Sequence, residues 1–190
     1  MNNIFRLPIQ EIIRTNNTQI HPYFFILLIL LTACGQESKK TDKEVSNEKV
    51  AKEIIEKSGT CTLITLDISG QPKARVMDPF PPTEDFVIWF GTNQMSRKVG
   101  EIKNDQRVTV HYYDKPSAAY VSLYGNATII NDPELKKTYW KSSWTDFYPD
   151  YPNSYSLIRF IPERIELISE AHGITGDPKT WKPDTVNFNW

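Results

Sequence analysis

The chain is poor in the residues that build several kinds of site. It has two cysteines in 190 residues, Cys34 and Cys61. They lie in unlike surroundings without metal-ligand spacing, so neither a disulfide scaffold nor a metal site is expected. Positive charge is not in excess. The formal net charge is -1, whereas sequence-independent nucleic-acid binding needs a basic surface, so nucleic acid is excluded as a partner. No apolar run reaches the ~20 residues of a membrane-spanning helix, and no internal repeat is visible. Aromatic residues, by contrast, are plentiful. They make up 12% of a chain that is 39% hydrophobic, so rings must carry much of the core.

The uncharged run Phe24-Phe25-Ile26-Leu27-Leu28-Ile29-Leu30-Leu31 has the length of a signal-peptide h-region. Leu31-Thr32-Ala33-Cys34-Gly35 follows it and resembles the lipobox of bacterial lipoproteins. That resemblance implies cleavage before Cys34, lipidation of Cys34 and a membrane-anchored protein of the cell envelope, exported as an unfolded chain. The n-region is long for such a peptide, with Arg6 and Arg14 as its cations and Glu11 between them. The alternative is a buried strand with an incidental cysteine. The tract from Gln36 to Glu48 is rich in Lys, Ser, Asp and Glu and has too little apolar surface to fold, so it reads as a tether. The expected organisation is a signal peptide over 1–33, a tether over 34–45, a folded domain over 46–170 and an extension over 171–190.

Within the domain, Val50, Ala51, Ile54 and Ile55 recur at helical spacing, with Ser46 or Asn47 as N-cap and Gly59 as stop. Thr60 to Ile68, the turn Ser69-Gly70-Gln71-Pro72, and Lys73 to Met77 predict a strand–turn–strand unit. Further strands are expected at Phe86–Phe90, Arg107–Tyr113, Ala119–Ile130, Leu157–Ile161 and Ile165–Ser169. A helix is expected over Arg97–Lys103 behind Ser96, and another over Glu134–Trp140 behind Asp132-Pro133. The tail after Ala171 shows no periodicity. These signals give a mainly β chain with short helices (α+β), an antiparallel barrel with helices between strands.

The stretch Trp89-Phe90-Gly91-Thr92-Asn93-Gln94-Met95-Ser96-Arg97-Lys98 ends a strand and opens a helix with a hydroxyl and two cations. Free N–H groups and the helix dipole favour an anion there, while Arg97 and Lys98 oppose the dipole unless an anion binds. A solvated helix start is the plain alternative. Arg75, on a strand with apolar neighbours, is suited to a bidentate phosphate contact, or else is a rim arginine in water.

Taken in order, Arg75, Phe90-Gly91-Thr92, Ser96-Arg97-Lys98, Asn104-Asp105-Gln106-Arg107-Val108 and Tyr120-Val121-Ser122-Leu123-Tyr124-Gly125-Asn126-Ala127 resemble the pyridoxamine 5'-phosphate oxidase-like family. The general-stress-protein branch of its split barrels, which bind flavin mononucleotide (FMN), is the best match. Trp140-Lys141 and Phe147-Tyr148-Pro149 fit that branch too. The resemblance implies an FMN-binding split β-barrel, a homodimer with shared sites, and flavin-dependent oxidoreductase chemistry. By the same resemblance, Arg75 and the backbone of Val76 and Met77 meet the flavin ring or ribityl chain. Gly91 and Thr92 line its edge, while Ser96, Arg97 and Lys98 lie at the phosphate.

The sequence departs from the vitamin B6 oxidase itself. Asp78-Pro79-Phe80 stands where that enzyme has a lysine, Tyr120 stands where it has a glutamine, and no late Arg-x-His occurs. Pyridoxamine phosphate oxidation is therefore not expected, and no catalytic residue is assigned. Trp140, Trp144, Tyr148 and Trp181 either shape a pocket over the flavin or pack in the core. His111 reads as a sheet histidine. His172 is a weak candidate haem ligand, since some split barrels bind haem through a late histidine. A non-catalytic surface protein that binds a glycan or a protein through exposed aromatics between Trp140 and Tyr155 is the reading from another class.

Overall fold

The computed structural model describes residues 42–190, so the h-region, Cys34 and most of the expected tether lie outside the described residues. Helix α1 spans Asp42–Ser58 and thus begins four residues before the expected cap at Ser46. Residues 42–45, within the expected tether, are helical. Asn47, Val50, Ala51, Ile54 and Ile55 bury one face of α1. Each fully buried Val or Ile contributes about 1.5–3 kcal/mol, which holds a helix whose other face is charged. Gly59, at φ 66°, donates to the Ile55 carbonyl at 3.2 Å and ends the helix with left-handed backbone.

Strands β1 (Cys61–Leu66) and β2 (Pro72–Met77) form a hairpin. Its turn is held by Asp67, whose carboxylate accepts from the Ser69 and Gln71 amides at 2.9 and 3.0 Å. β3 (Ile88–Asn93), α2 (Arg97–Asn104), β4 (Arg107–Asp114) and β5 (Ala119–Ile130) follow. The short helix α3 (Pro133–Thr138) starts behind Asp132, which caps the Glu134 and Leu135 amides. β6 (Tyr155–Ile168) and β7 (Asp184–Asn187) complete an antiparallel sheet of order β2-β1-β4-β5-β6-β3, with β7 on the side of β6. The two ends of that order meet at a bridge between Pro79 and Phe90, where the Phe80 amide donates to the Trp89 carbonyl at 2.9 Å. This short seam closes the curled sheet into a split barrel. Leu63, Val110, Leu123, Phe160 and Ile165 fill its interior.

Three expectations need correction. The two late strands are one, β6, running through Pro162. Proline lacks the ladder donor, and the pairing with β5 shifts register between Tyr124 and Gly125 opposite it, a bulge that absorbs the missing bond. The tail contains β7, which Val186 alone anchors by full burial. Helix α3 ends at Thr138, so Trp140 lies beyond it.

Gly125 permits the bulge by lacking a side chain. A Cβ there would lie 2.1 Å from the Ile161 carbonyl oxygen, which is backbone and cannot swing aside. Gly125→Ala is expected to lower stability by about 3 kcal/mol, read as an earlier urea midpoint with an unchanged slope.

Candidate functional site

Arg75 and Leu63 are register partners on β2 and β1, so the arginine points to the face of the hairpin that bears the buried Leu63. It meets α2 at that end of the barrel. Its Nη2 donates to Glu101 Oε2 at 2.7 Å and its Nη1 to the Thr65 hydroxyl at 2.5 Å. The Thr65 hydroxyl in turn donates to Glu101 Oε2 at 2.5 Å. The Arg75 side chain is 19% exposed and that of Glu101 only 5%. The rim arginine in water is thus excluded, because Arg75 is tied into a closed triangle with Thr65 and Glu101.

On the other side of the carboxylate, Arg97 Nε lies 2.8 Å from Glu101 Oε1. The contact lacks hydrogen-bond geometry and leaves that buried oxygen without a partner. The Arg97 side chain is 69% exposed, so it is free to turn toward an incoming anion. Lys98 is half-buried. Burial foremost, and then the positive charge of Arg75, hold its ammonium below the ordinary lysine range, with Glu101 opposing the shift. Three cations thus face one carboxylate, which leaves two positive charges uncompensated.

Backbone geometry adds to this. No side chain caps α2 and no acidic residue occupies its first turn. The Ser96 hydroxyl is turned instead to the Thr92 hydroxyl, at 3.0 Å. A helix start left uncapped beside two excess positive charges is suited to a phosphate, which carries about −1.5 to −2 at neutral pH. Among the described residues no group of three or more His, Cys, Asp or Glu could hold a metal, and no helix is long and apolar enough to cross a membrane.

The remaining expected residues fall around this cluster in different ways. Thr92 is buried, on the same face of β3 as Ile88 and Phe90. Gly91 lies on the opposite face, where a Cβ would meet Trp144 at 2.3 Å and Tyr155 at 2.7 Å. That side of Gly91 is therefore filled by protein. Val76 projects from the outer face of β2, 72% exposed, while Met77 packs against the core.

Trp140, Trp144 and Tyr148 pack around Tyr155 in a second cluster with Trp89 and Phe80, and the Trp89 and Tyr139 rings stack at 4.5 Å. Packing is thus the role the structure gives them. Trp181 is exposed and apart from this cluster. His111 bonds the Ser122 hydroxyl at 2.9 Å, and burial holds its pKa below the usual value. His172 uses both ring nitrogens, one with the Ser169 hydroxyl at 2.8 Å and one 3.3 Å from Glu53. A haem iron would have to displace one of them. Glu101 and Thr65 were not among the expected site residues. The one sequence signal for Glu101 is its spacing four residues after Arg97.

An antiparallel split barrel with an anion-suited cluster at the start of α2 defines the class of protein. Residues 48–169 match the pyridoxamine 5'-phosphate oxidase family, and the chain belongs to it. General stress protein 26 of Bacillus anthracis is similar in structure, with a TM-score of 0.59 and 26% identity over 75% of this chain and 98% of that one. A protein of Clostridium acetobutylicum related to general stress protein 26 superposes with a TM-score of 0.62 at 19% identity, covering 75% of this chain and 94% of its own. A haem-binding protein of Mycobacterium smegmatis shares the fold at 18% identity and a TM-score of 0.55, over 74% of this chain and 57% of that one. None of the curated proteins compared is detectably similar.

Glu101 supplies a pH test. Burial raises its pKa, but hydrogen bonds from Thr65 and Arg75 and the charges of Arg75 and Arg97 outweigh burial, and the net shift is below the ordinary 4.5. A carboxylate lowered in the folded state stabilises above its unfolded pKa, and that stability is lost as pH falls through the folded value. Glu101→Gln is expected to cost about 2 kcal/mol at pH 7. It should also flatten the loss of stability below pH about 4.5, read from urea midpoints across that range.

Proposed function

We propose that this protein binds FMN with its phosphate at Ser96, Arg97 and Lys98 and acts as a flavin-dependent oxidoreductase in a homodimer. The observation that carries the reading is the surplus of two positive charges around Glu101, next to an uncapped helix start, in a chain of this family. Arg97 and Lys98 hold the phosphate. Arg75 acts at one remove: the guanidinium that Thr65 and Glu101 fix presents β2 at a set distance from α2, and the β2 backbone at Val76 and Met77 meets the ring system. Bound flavin would supply hydride or electron transfer, and the chain's own part is to bind and orient it. Ala74 and Val76 are both exposed on the outer face of β2, which supports a second subunit covering this face of the hairpin.

The surface-protein reading is weakened, because Trp140, Trp144 and Tyr148 pack on one another and on Tyr155, which leaves Phe147, 75% exposed, as the outward aromatic of that stretch. The haem reading is weakened by the two partners of His172. For localisation, we propose anchoring to the cell envelope through lipidated Cys34, supported by the apolar run and the Leu31–Gly35 sequence before the folded domain. Radiolabelled palmitate is expected to enter the wild-type chain in a bacterial host and to be absent from Cys34→Ser.

The flavin assignment is tested with the purified protein, by quenching of flavin fluorescence on titration with FMN and, separately, with riboflavin. Arg97→Ala and Lys98→Ala are each expected to weaken FMN binding about tenfold or more, the loss of a charge-assisted phosphate contact. Riboflavin, which lacks the phosphate, should bind the variants and the wild type alike. If the wild-type protein does not bind FMN, the assignment is wrong.

A further inference from the structure

Between β6 and β7 the chain makes a turn that holds an indole ring out in water. Asp177 organises it. Its Oδ1 accepts from the Lys179 and Thr180 amides at 2.9 and 2.7 Å and from the Thr180 hydroxyl at 3.0 Å. Two backbone bonds close the turn, from the Asp177 amide to the Lys182 carbonyl at 2.9 Å and from the Trp181 amide to the Asp177 carbonyl at 2.8 Å. A Cβ at Gly176 would lie 2.6 Å from the Lys182 carbonyl oxygen, so the two arms of the turn touch.

Trp181 stands in this closed turn at φ 59°, left-handed backbone that a bulky residue rarely adopts. It is 87% exposed, so the fold gains little burial from the ring. Lys179 and Lys182 flank it, both exposed and without an ion pair among the described residues. The nearby acids are committed. Asp177 is turned to the amides of its own turn, and Asp184 pairs with Lys43 at 3.0 Å. An indole between two unpaired ammonium groups suits the headgroup layer of a bilayer, where the ring meets apolar and polar surroundings together and lysines meet anionic phosphate.

The turn also has a fixed place on the domain. Asp184 takes Lys43 and, at 3.4 Å, the Asn47 side chain, so the end of the turn adjoins the start of α1. That is where the chain from Cys34 enters the domain. The eight residues from Cys34 to Asp42 span at most ~28 Å when fully extended. A lipid on Cys34 would therefore keep this side of the domain close to the bilayer.

We infer that the Asp177–Pro183 turn is a membrane contact, with Trp181 among the lipid headgroups and Lys179 and Lys182 on anionic phosphates. The inference rests on the proposed anchoring through Cys34 and adds an orientation to it. The lipid holds the domain near the bilayer, and the turn sets which face the domain presents.

The test uses the full chain, lipidated in a bacterial host and reconstituted on vesicles of phosphatidylcholine and phosphatidylglycerol, with or without bromine in the upper part of the acyl chains. Flotation of the vesicles reads the anchor, and bromine quenching of tryptophan fluorescence reads insertion of the ring. Trp89, Trp140 and Trp144 are packed in the second aromatic cluster, and Trp190, 64% exposed, is the control. Quenching is expected in the wild type, unchanged in Trp190→Phe and lost in Trp181→Phe, while all three proteins float. Lys179→Gln combined with Lys182→Gln should reduce the quenching on these anionic vesicles and leave it unchanged on phosphatidylcholine alone. Flotation without quenching, or quenching that survives in Trp181→Phe, would overturn the inference and leave the anchor standing. If the wild type does not float, the anchor fails and the inference with it.

Discussion

The carboxylate of Glu101 sits where three pieces of the chain converge. It takes a hydrogen bond from Thr65 on β1, another from Arg75 on β2, and faces Arg97 in the first turn of its own helix. A buried charge is tolerable when it is paired and its lone pairs are occupied, and on the Oε2 side both conditions hold. On the Oε1 side they do not, since that oxygen has an ion pair without a hydrogen bond. The asymmetry divides the cluster in two. Arg75 and Thr65 are committed to the fold, whereas Arg97 retains the freedom of an exposed side chain.

That division separates, within one group of residues, the cations committed to the fold from those that keep unspent charge. If all three cations were equally engaged with Glu101, an incoming phosphate would have to break buried bonds to reach them. Instead, the buried pair sets the position of α2 against the hairpin, and the two cations at the helix start keep unspent charge. Lys98 shows the cost of the arrangement. Burial and the nearby arginine both disfavour its ammonium, a penalty that an anion at this place relieves. Excess like charge retained on a folded surface lowers stability, so its presence beside an uncapped helix supports a ligand more strongly than any of the residues alone.

Much of this was legible from local patterns, and the failures have physical causes. α2 and β2 could be placed because Ser96 opens the helix and the Ser69–Pro72 turn sets the hairpin. β5 was read to its observed bounds because Lys115-Pro116-Ser117 and Asp132-Pro133 bracket it with turn and helix-start signals. β6 was divided in two because Pro162 breaks strands in isolation, and its tolerance depends on Gly125 across the sheet. That compensation is non-local. Glu101 was passed over for a related reason: in the sequence it is a helical acid among lysines, and only the fold brings Thr65 and Arg75 to it. Trp144 and Tyr148 have the composition of a ligand surface, yet Gly91 clears the space in which they pack against Tyr155.

The seam between Pro79 and Phe90 joins these observations. Asp78-Pro79-Phe80 departs from the vitamin B6 oxidase pattern by lacking its lysine, and in the fold the same residues do mechanical work. Pro79 bridges to β3, and the Phe80 ring packs edge-on against Tyr139 and Trp144. Lys141 reaches back from beyond α3 to Asp78 at 2.6 Å and to the Pro79 carbonyl at 3.0 Å. A cation is thus present beside this segment, supplied by another part of the chain and paired with Asp78. The Asp78 carboxylate and Lys141 neutralise each other where the oxidase pattern would leave a positive charge. The two surplus positive charges therefore lie at α2, while the segment Asp78–Phe80 carries none, its one cation being paired with Asp78.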